Sequence, residues 1–168
     1  MKLNTLINAL NKCNEAVLIL RLEDVNDITS FKVEFVNNAT QKANGSVPSE
    51  IIGKYVKDVY PGVFEEYPAL VEAYRDALNG KSTNLGIIPY EDDNVELGQF
   101  NCVINPIEEN CIGVFYENVT EKINADKTVK KKINELEAMN ALLVDREVLM
   151  TNLKKENREL KRLSENAA

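Results

Sequence analysis

FVNNATQKANGSVPSEIIGK, residues 35–54, is the stretch on which the fold turns. It begins at the end of an alternating run: Phe31, Val33 and Phe35 interleave with Lys32 and Glu34, the period of a strand with one buried face. Asn37-Asn38 ends that run, because a short amide side chain competes for backbone hydrogen bonds and favours turns and helix starts. Gln41 follows Asn38 at the spacing of a capping box, and Gly45 supplies a residue tolerant of the left-handed conformation, so a helix of one or two turns is predicted between them. Ser49-Glu50 opens another short helix through Ile51 and Ile52, which Gly53 breaks. The segment reads as strand, tight turn and two short helices.

Upstream, AVLILRLED (16–24) reads as a strand joined to SFKVEFVN (30–37) by a hairpin-like connection through NDITS. Before it, KLNTLINALNKCN (2–14) places Leu3, Leu6, Ile7 and Leu10 at helical spacing, an amphipathic stripe for which a symmetry mate is one partner. Downstream, Pro61-Gly62 marks a loop, and FEEYPALVEAYRDALNG (64–80) reads as one longer helix with Leu70, Tyr74, Ala77 and Leu78 on a face and Gly80 as its stop. Three strands follow, STNLGIIPYE (82–91), VELGQFNCVINP (95–106) and CIGVFYENVT (111–120), with polar turns at EDDN and EEN. The order predicts an α+β fold in which short helices pack on a five-stranded antiparallel sheet, followed by a long helix.

A chain of 168 residues holds one modest domain and an extension, and leaves no room for two catalytic domains. With 27 acidic against 20 basic residues the surface repels polyphosphate, so neither nucleic acid nor an anionic membrane is an expected partner. The longest wholly apolar run, AVLIL at 16–20, falls far short of the roughly 20 residues that cross a bilayer, and polar residues interrupt any leader-like core, so a soluble cytoplasmic chain is expected. Cys13, Cys102 and Cys111 are odd in number and widely spaced, which predicts buried free thiols in a reducing compartment. The absence of histidine removes Ser-His and Cys-His nucleophile pairs, His-ligated haem and a phosphate-accepting histidine. The carboxylates Glu91, Asp92 and Asp93 share a loop without the spacing of a metal site, and no metal is expected.

Taken with KDVYPG (57–62), FNCVINPI (100–107) and GVFYENVTEK (113–122), the 35–54 segment resembles a PAS domain, a small sensory α+β fold of bacterial signalling proteins, over residues 14–124. The resemblance implies that Asn37 caps the short helix and that Gly45 and Gly53 are its helix-ending glycines. Asn118 and Thr120 fall where that family has Asp and Thr, between the last strand and the outgoing helix. Asn118 retains capping ability, with Glu121 at capping-box distance, but lacks the charge for an ionic latch. An apolar pocket is implied as well, with Phe35, Ile52, Val59, Leu70, Tyr74, Phe100, Cys102, Ile104, Val114 and Tyr116 as candidate lining; the alternative is that these side chains simply fill the core. Tyr55, Tyr60, Tyr67, Tyr74, Tyr90 and Tyr116 could donate to a ligand there or serve as core and rim. Haem-binding relatives use a helix histidine, which is missing. Photoactive flavin relatives use a mid-domain helix cysteine, whereas Cys102 and Cys111 lie on predicted strands and the chain has no Trp. No cofactor is evident, and a small organic ligand or none is expected.

From Glu121 onward there is no Gly or Pro, and helix formers dominate for roughly 40 residues, or ~60 Å. Taking Val129, Leu136, Leu143, Met150, Asn157 and Ser164 as a, and Lys132, Met139, Arg146, Leu153, Leu160 and Ala167 as d, makes eight of twelve seam positions apolar, a coiled-coil signal. Asn157 between Leu153 and Leu160 resembles the buried Asn that sets register in parallel leucine zippers, and Glu156 at g would face Lys161 at e. Upstream, Ile133, Leu142 and Leu149 widen the stripe and Arg146 interrupts it, an irregular stretch suited to a two-state element. ELEAMNALLVDREVLMTNLKKEN (135–157) resembles the coiled linkers behind PAS domains in sensor kinases.

The expected organisation is an N-terminal amphipathic helix at 1–13, a PAS domain at 14–124 and a coiled-coil signalling helix at 125–168. The expected function is a non-catalytic sensory and dimerisation module, a homodimer through the coil with a signalling kinase or response partner of a two-component system. The alternatives are the input portion of a sensor histidine kinase or nucleotide cyclase, and a structural dimeric adaptor with a filled core.

Overall fold

The computed structural model describes residues 3–166, and for residues 3, 4, 6 and 166 the backbone alone. The expectations for the Leu3 and Leu6 side chains and for Ala167 therefore lie outside the described residues. Helix α1 (Leu3–Leu10) precedes strand β1 (Ala16–Leu22), a 3-10 turn (Ile28–Ser30) and strand β2 (Phe31–Val36). Five helices follow, α2 (Ala39–Asn44), α3 (Pro48–Ile51), α4 (Val56–Val59), α5 (Gly62–Glu65) and α6 (Pro68–Leu78). Strands β3 (Thr83–Asp92), β4 (Val95–Glu108) and β5 (Cys111–Asn118) complete the sheet, and helix α7 runs from Thr120 to Asn166.

The five strands form one antiparallel sheet in the order β2-β1-β5-β4-β3. Placing the first and last strands side by side at the centre sets Leu18 opposite Val114 and Leu20 opposite Ile112, while β4 pairs Cys102 with Tyr116 and Ile104 with Val114. These side chains form the inner face on which α4, α5 and α6 pack. Burial of Leu20, Phe31, Ile104 and Ile112, all essentially inaccessible, contributes roughly 1.5–3 kcal/mol apiece.

Four local readings change. The alternation of β2 breaks at a bulge: Leu20 pairs with Val33 and Ile19 with Phe35, so Glu34 is the extra residue and the inward positions become Val33 and Val36. Phe35 thereby sits beside Ile19 on the opposite face, half-buried. Pro61-Gly62 begins helix α5 instead of a loop, because Pro61, at the N-cap, is fixed at φ −59° and already has helical backbone. The long helix expected over 64–80 is two helices, since Pro68 offers no N–H to an upstream carbonyl and biases Tyr67 away from helical backbone. Among the cysteines, Cys102 and Cys111 are buried but Cys13 is exposed, because it follows the end of α1 in a turn.

The free edge of β2 is covered locally: Gly53 N–H donates to Val33 O at 2.7 Å and Val33 N–H to Lys54 O at 2.9 Å, which anchors α3 to the sheet. Gly53 needs φ +84° for that turn, and Gly45 adopts φ +82° at the end of α2.

The chain divides into two compact units, residues 1–121 and 122–168. The second is the continuation of α7, a helix of 47 residues and about 70 Å. The side chains expected at a dimer seam, Val129, Leu136, Met139, Leu143, Met150, Leu153 and Leu160, are all exposed. No helix among the described residues is long and apolar enough to cross a membrane.

Candidate functional site

Between the inner face of the sheet and α6, the first unit holds a partly open cavity of about 70 Å³. Its walls come from β1 (Leu18), β3 (Ile88, Tyr90), β4 (Val95, Phe100, Cys102), β5 (Val114, Tyr116), α5 (Val63) and α6 (Leu70, Tyr74), with Asn44 and Tyr60 at one end. Edge-to-face ring contacts hold the walls: Phe31 on Tyr74 at 5.3 Å, Tyr90 on Phe100 at 6.4 Å and Phe100 on Tyr116 at 6.0 Å between centroids. The apolar faces of the aromatic residues thus build the enclosure, and their polar ends decide its chemistry.

Two of those ends are committed to the protein. The Tyr60 hydroxyl donates to Ser46 Oγ at 3.0 Å and accepts from Asn44 Nδ2 at 3.2 Å, while the Tyr90 hydroxyl donates to Asp92 Oδ2 at 2.5 Å. Asp92 is fixed in turn by the N–H groups of Asn94 and Val95, both donating to its Oδ1 at 2.8 Å. The Tyr116 hydroxyl is buried without a hydrogen-bond partner among the described residues. Burial raises the hydroxyls of Tyr60, Tyr74, Tyr90 and Tyr116 above their ordinary range, and it pushes the Cys102 thiol up to about 12. No Lys, Arg, Asp or Glu lines the space, so every group facing it is neutral at physiological pH.

Of the ten pocket residues expected from sequence, six meet around this cavity: Leu70, Tyr74, Phe100, Cys102, Val114 and Tyr116. The bulge turns Phe35 to the other face. Ile52 follows α3 at the Gly53 turn and is 46% exposed. Val59 and Ile104 are buried but pack in the core away from the cavity. Leu18, Asn44, Val63, Ile88 and Val95 were not anticipated; strict alternation along β1 from Ala16 would have pointed to Leu18.

One of the junction residues acts differently from its expected role. Asn37, fully buried, does not cap α2: its Oδ1 accepts from Val17 N–H at 3.0 Å, and its Nδ2 donates to Leu10 O and Glu15 O, both at 2.9 Å. It clamps the end of α1 to the start of β1, because the strand delivers its amide into the gap between them. At the other end of the domain, Asn118 Oδ1 accepts from Thr120 N–H at 3.1 Å and from its hydroxyl at 2.6 Å, opening α7. Its Nδ2 donates to Ala43 O of α2 at 2.8 Å, and Gln99 N–H donates to Thr120 Oγ1 at 2.8 Å. Gly98 permits this close passage, since a Cβ there would lie 2.7 Å from the Phe100 ring and 3.3 Å from Thr120 Oγ1.

Outside the cavity, an open polar groove of about 1010 Å³ is lined by Asn14, Lys42, Glu96, Glu117 and Glu121 among others, and Asn44 and Phe100 border both spaces. Among the described residues no group of three or more His, Cys, Asp or Glu is arranged to hold a metal ion.

No protein-family model matches the chain, and no curated protein matches it. Solved structures do. A structure of an RNA-binding light-oxygen-voltage receptor aligns at 15% identity over 78% of this chain and 36% of that one, TM-score 0.55, so the present chain spans about a third of that receptor. The PAS domain of a protein from Colwellia psychrerythraea aligns at 16% identity over 71% of this chain and 98% of that one, TM-score 0.54. The photoactive yellow protein domain of the sensor histidine kinase Ppr from Rhodospirillum centenum aligns at 11% identity over 66% and 96%, TM-score 0.51. At these identities the likeness is one of fold.

Proposed function

From the PAS fold of this chain we propose a sensory and dimerisation module, without catalytic activity of its own, that passes the state of the cavity through the Asn118–Thr120 junction to α7 and pairs there with a second copy as a parallel coiled coil. The observation that carries the reading is α7 itself. Its apolar residues recur on a seven-residue repeat, and a straight helix drifts about 20° per heptad from such a repeat. From Val129 to Leu160 the exposed stripe therefore winds around the helix axis, a shape that a supercoiling partner covers and a flat surface does not. The lack of histidine and of any nucleophile-base pair supports a non-catalytic role.

Sedimentation equilibrium of the full chain tests the pairing. A dimer at tens of micromolar is expected, and Leu143→Glu with Leu153→Glu should give a monomer whose globular fold is retained; a monomeric parent, or a dimeric double variant, overturns it. One specific observation favours a second reading, that the chain is the input portion of a kinase: a structure similar to it is a domain of a sensor histidine kinase.

A further inference from the structure

We propose that the cavity takes a small, neutral, hydrogen-bond-accepting molecule of about three or four heavy atoms, such as a short ketone or amide, held by the hydroxyls of Tyr74 and Tyr116. This deepens the sensory reading and rests on it. Size comes first. An apolar cavity of about 150 Å³ holds benzene, and the present one, about 70 Å³, is roughly half of that. It lies far below the ~300–1,000 Å³ of sites for drug-sized ligands and cofactors.

Charge comes second. With no cation or carboxylate on the wall, an ionic ligand would be buried uncompensated. Hydrogen bonding decides the rest. The Tyr60 and Tyr90 hydroxyls already donate to Ser46 and Asp92. Tyr74 and Tyr116 are 4% and 8% exposed, and both line the cavity. The Tyr116 hydroxyl has no hydrogen-bond partner among the described residues, and Tyr74 lines the same cavity from α6. A buried phenol with an unused O–H is satisfied by an acceptor, and the surrounding Leu18, Leu70 and Val114 favour methyl groups on the remainder of the ligand. Asn44 and Phe100 line both the cavity and the outer groove, which places the entry route for such a molecule beside them.

The test is an amide-NMR titration of the full chain with acetone, and with acetate as its charged counterpart of equal size. Saturating shifts confined to the cavity wall are expected for acetone and none for acetate. Tyr74→Phe and Tyr116→Phe should each weaken acetone binding by roughly five- to tenfold, the loss of one hydrogen bond. Acetone shifts that never saturate, equal binding of acetate, or undiminished acetone binding in the double Phe variant overturn the proposal and leave a packing void or a site for water alone. If a Phe variant loses its dispersed spectrum, the parent comparison of acetone with acetate still decides. Disulfide cross-linking of a Leu136→Cys variant on the same samples separates this from the relay: acetone binding that leaves cross-linking unchanged keeps the ligand class and sinks the relay.

Discussion

Asn37→Asp separates a helix cap from a clamp. Asp caps helices as well as Asn and adds a favourable charge at a helix N-terminus, so a capping role predicts a change within about 0.5 kcal/mol or a slight gain. The observed contacts predict a large loss. The substitution removes both Nδ2 donors, at 2.9 Å to Leu10 O and Glu15 O, together worth about 2 kcal/mol. It also faces a carboxylate with two carbonyl oxygens at a fully buried site, which disfavours the charged form. The carboxyl then titrates above its unfolded pKa, and the cost of keeping it charged or protonating it is bounded at pH 7 by about 4 kcal/mol, three units above the usual ~3.9. A total of about 3–6 kcal/mol is a large part of the ~5–15 kcal/mol that holds a domain folded. The sign with pH is fixed: a raised folded pKa means stability present below about pH 4 and lost as pH rises toward the folded value. Urea unfolding of parent and variant at pH 4 and pH 7 measures both. A variant within 0.5 kcal/mol of the parent at pH 7, or one that gains stability with pH relative to it, would refute the clamp.

Alkaline pH should unfold the domain early. Cys102 rises from an ordinary 9.0 to about 12, and Tyr74 and Tyr116 are also raised by burial, so the folded state keeps protons that the unfolded chain releases. Stability is therefore full below pH 9 and falls above it, Cys102 alone accounting for about 2–3 kcal/mol by pH 11, and a urea midpoint flat from pH 8 to 11 contradicts this. Asn118→Asp retains the acceptor for Thr120 but loses the donor to Ala43 O, so α2 should exchange amide hydrogens faster, with a net cost under about 1.5 kcal/mol offset partly by the helix N-terminus; unchanged exchange in α2 counts against the contact. Under the proposed pairing, Asn157→Leu should raise dimer stability while permitting additional registers, read as a loss of specificity in cross-linking at cysteines placed along α7.

What the sequence disclosed was local. The glycine stops at Gly45, Gly53 and Gly80, and the three strands after them, are visible because left-handed backbone and period-two burial are written within a few residues. The split at Pro68 is equally local, written in its missing N–H, although the apolar spacing runs on across 64–80. The role of Asn37 was not legible, since its partners Leu10, Glu15 and Val17 lie twenty or more residues upstream. Phe35 misled for a related reason: a bulge at Glu34 depends on how β1 pairs with β2, and one inserted residue inverts the faces. The cavity wall collects Leu18, Ile88 and Val95 from three strands, and which tyrosine hydroxyls stay unpaired depends on Ser46, Asn44 and Asp92 arriving beside the others.

The junction gives the proposed relay a physical character that the Asp-to-Asn departure first hinted at. Two short paths lead from the cavity wall to the start of α7. In α2, Asn44 donates to the Tyr60 hydroxyl, and the adjacent Ala43 carbonyl receives Asn118, which holds Thr120. In β4, Phe100 lies on the cavity, and its neighbour Gln99 donates to Thr120 from one backbone group and accepts from Val119 at the other. Both paths end on the same residue, so a displacement of either wall acts on the helix start. Neither contains a charged group. Under the proposed relay, the stimulus that reaches α7 along these two paths is therefore one that moves Tyr60 or Phe100, not one that makes or breaks an ion pair within them.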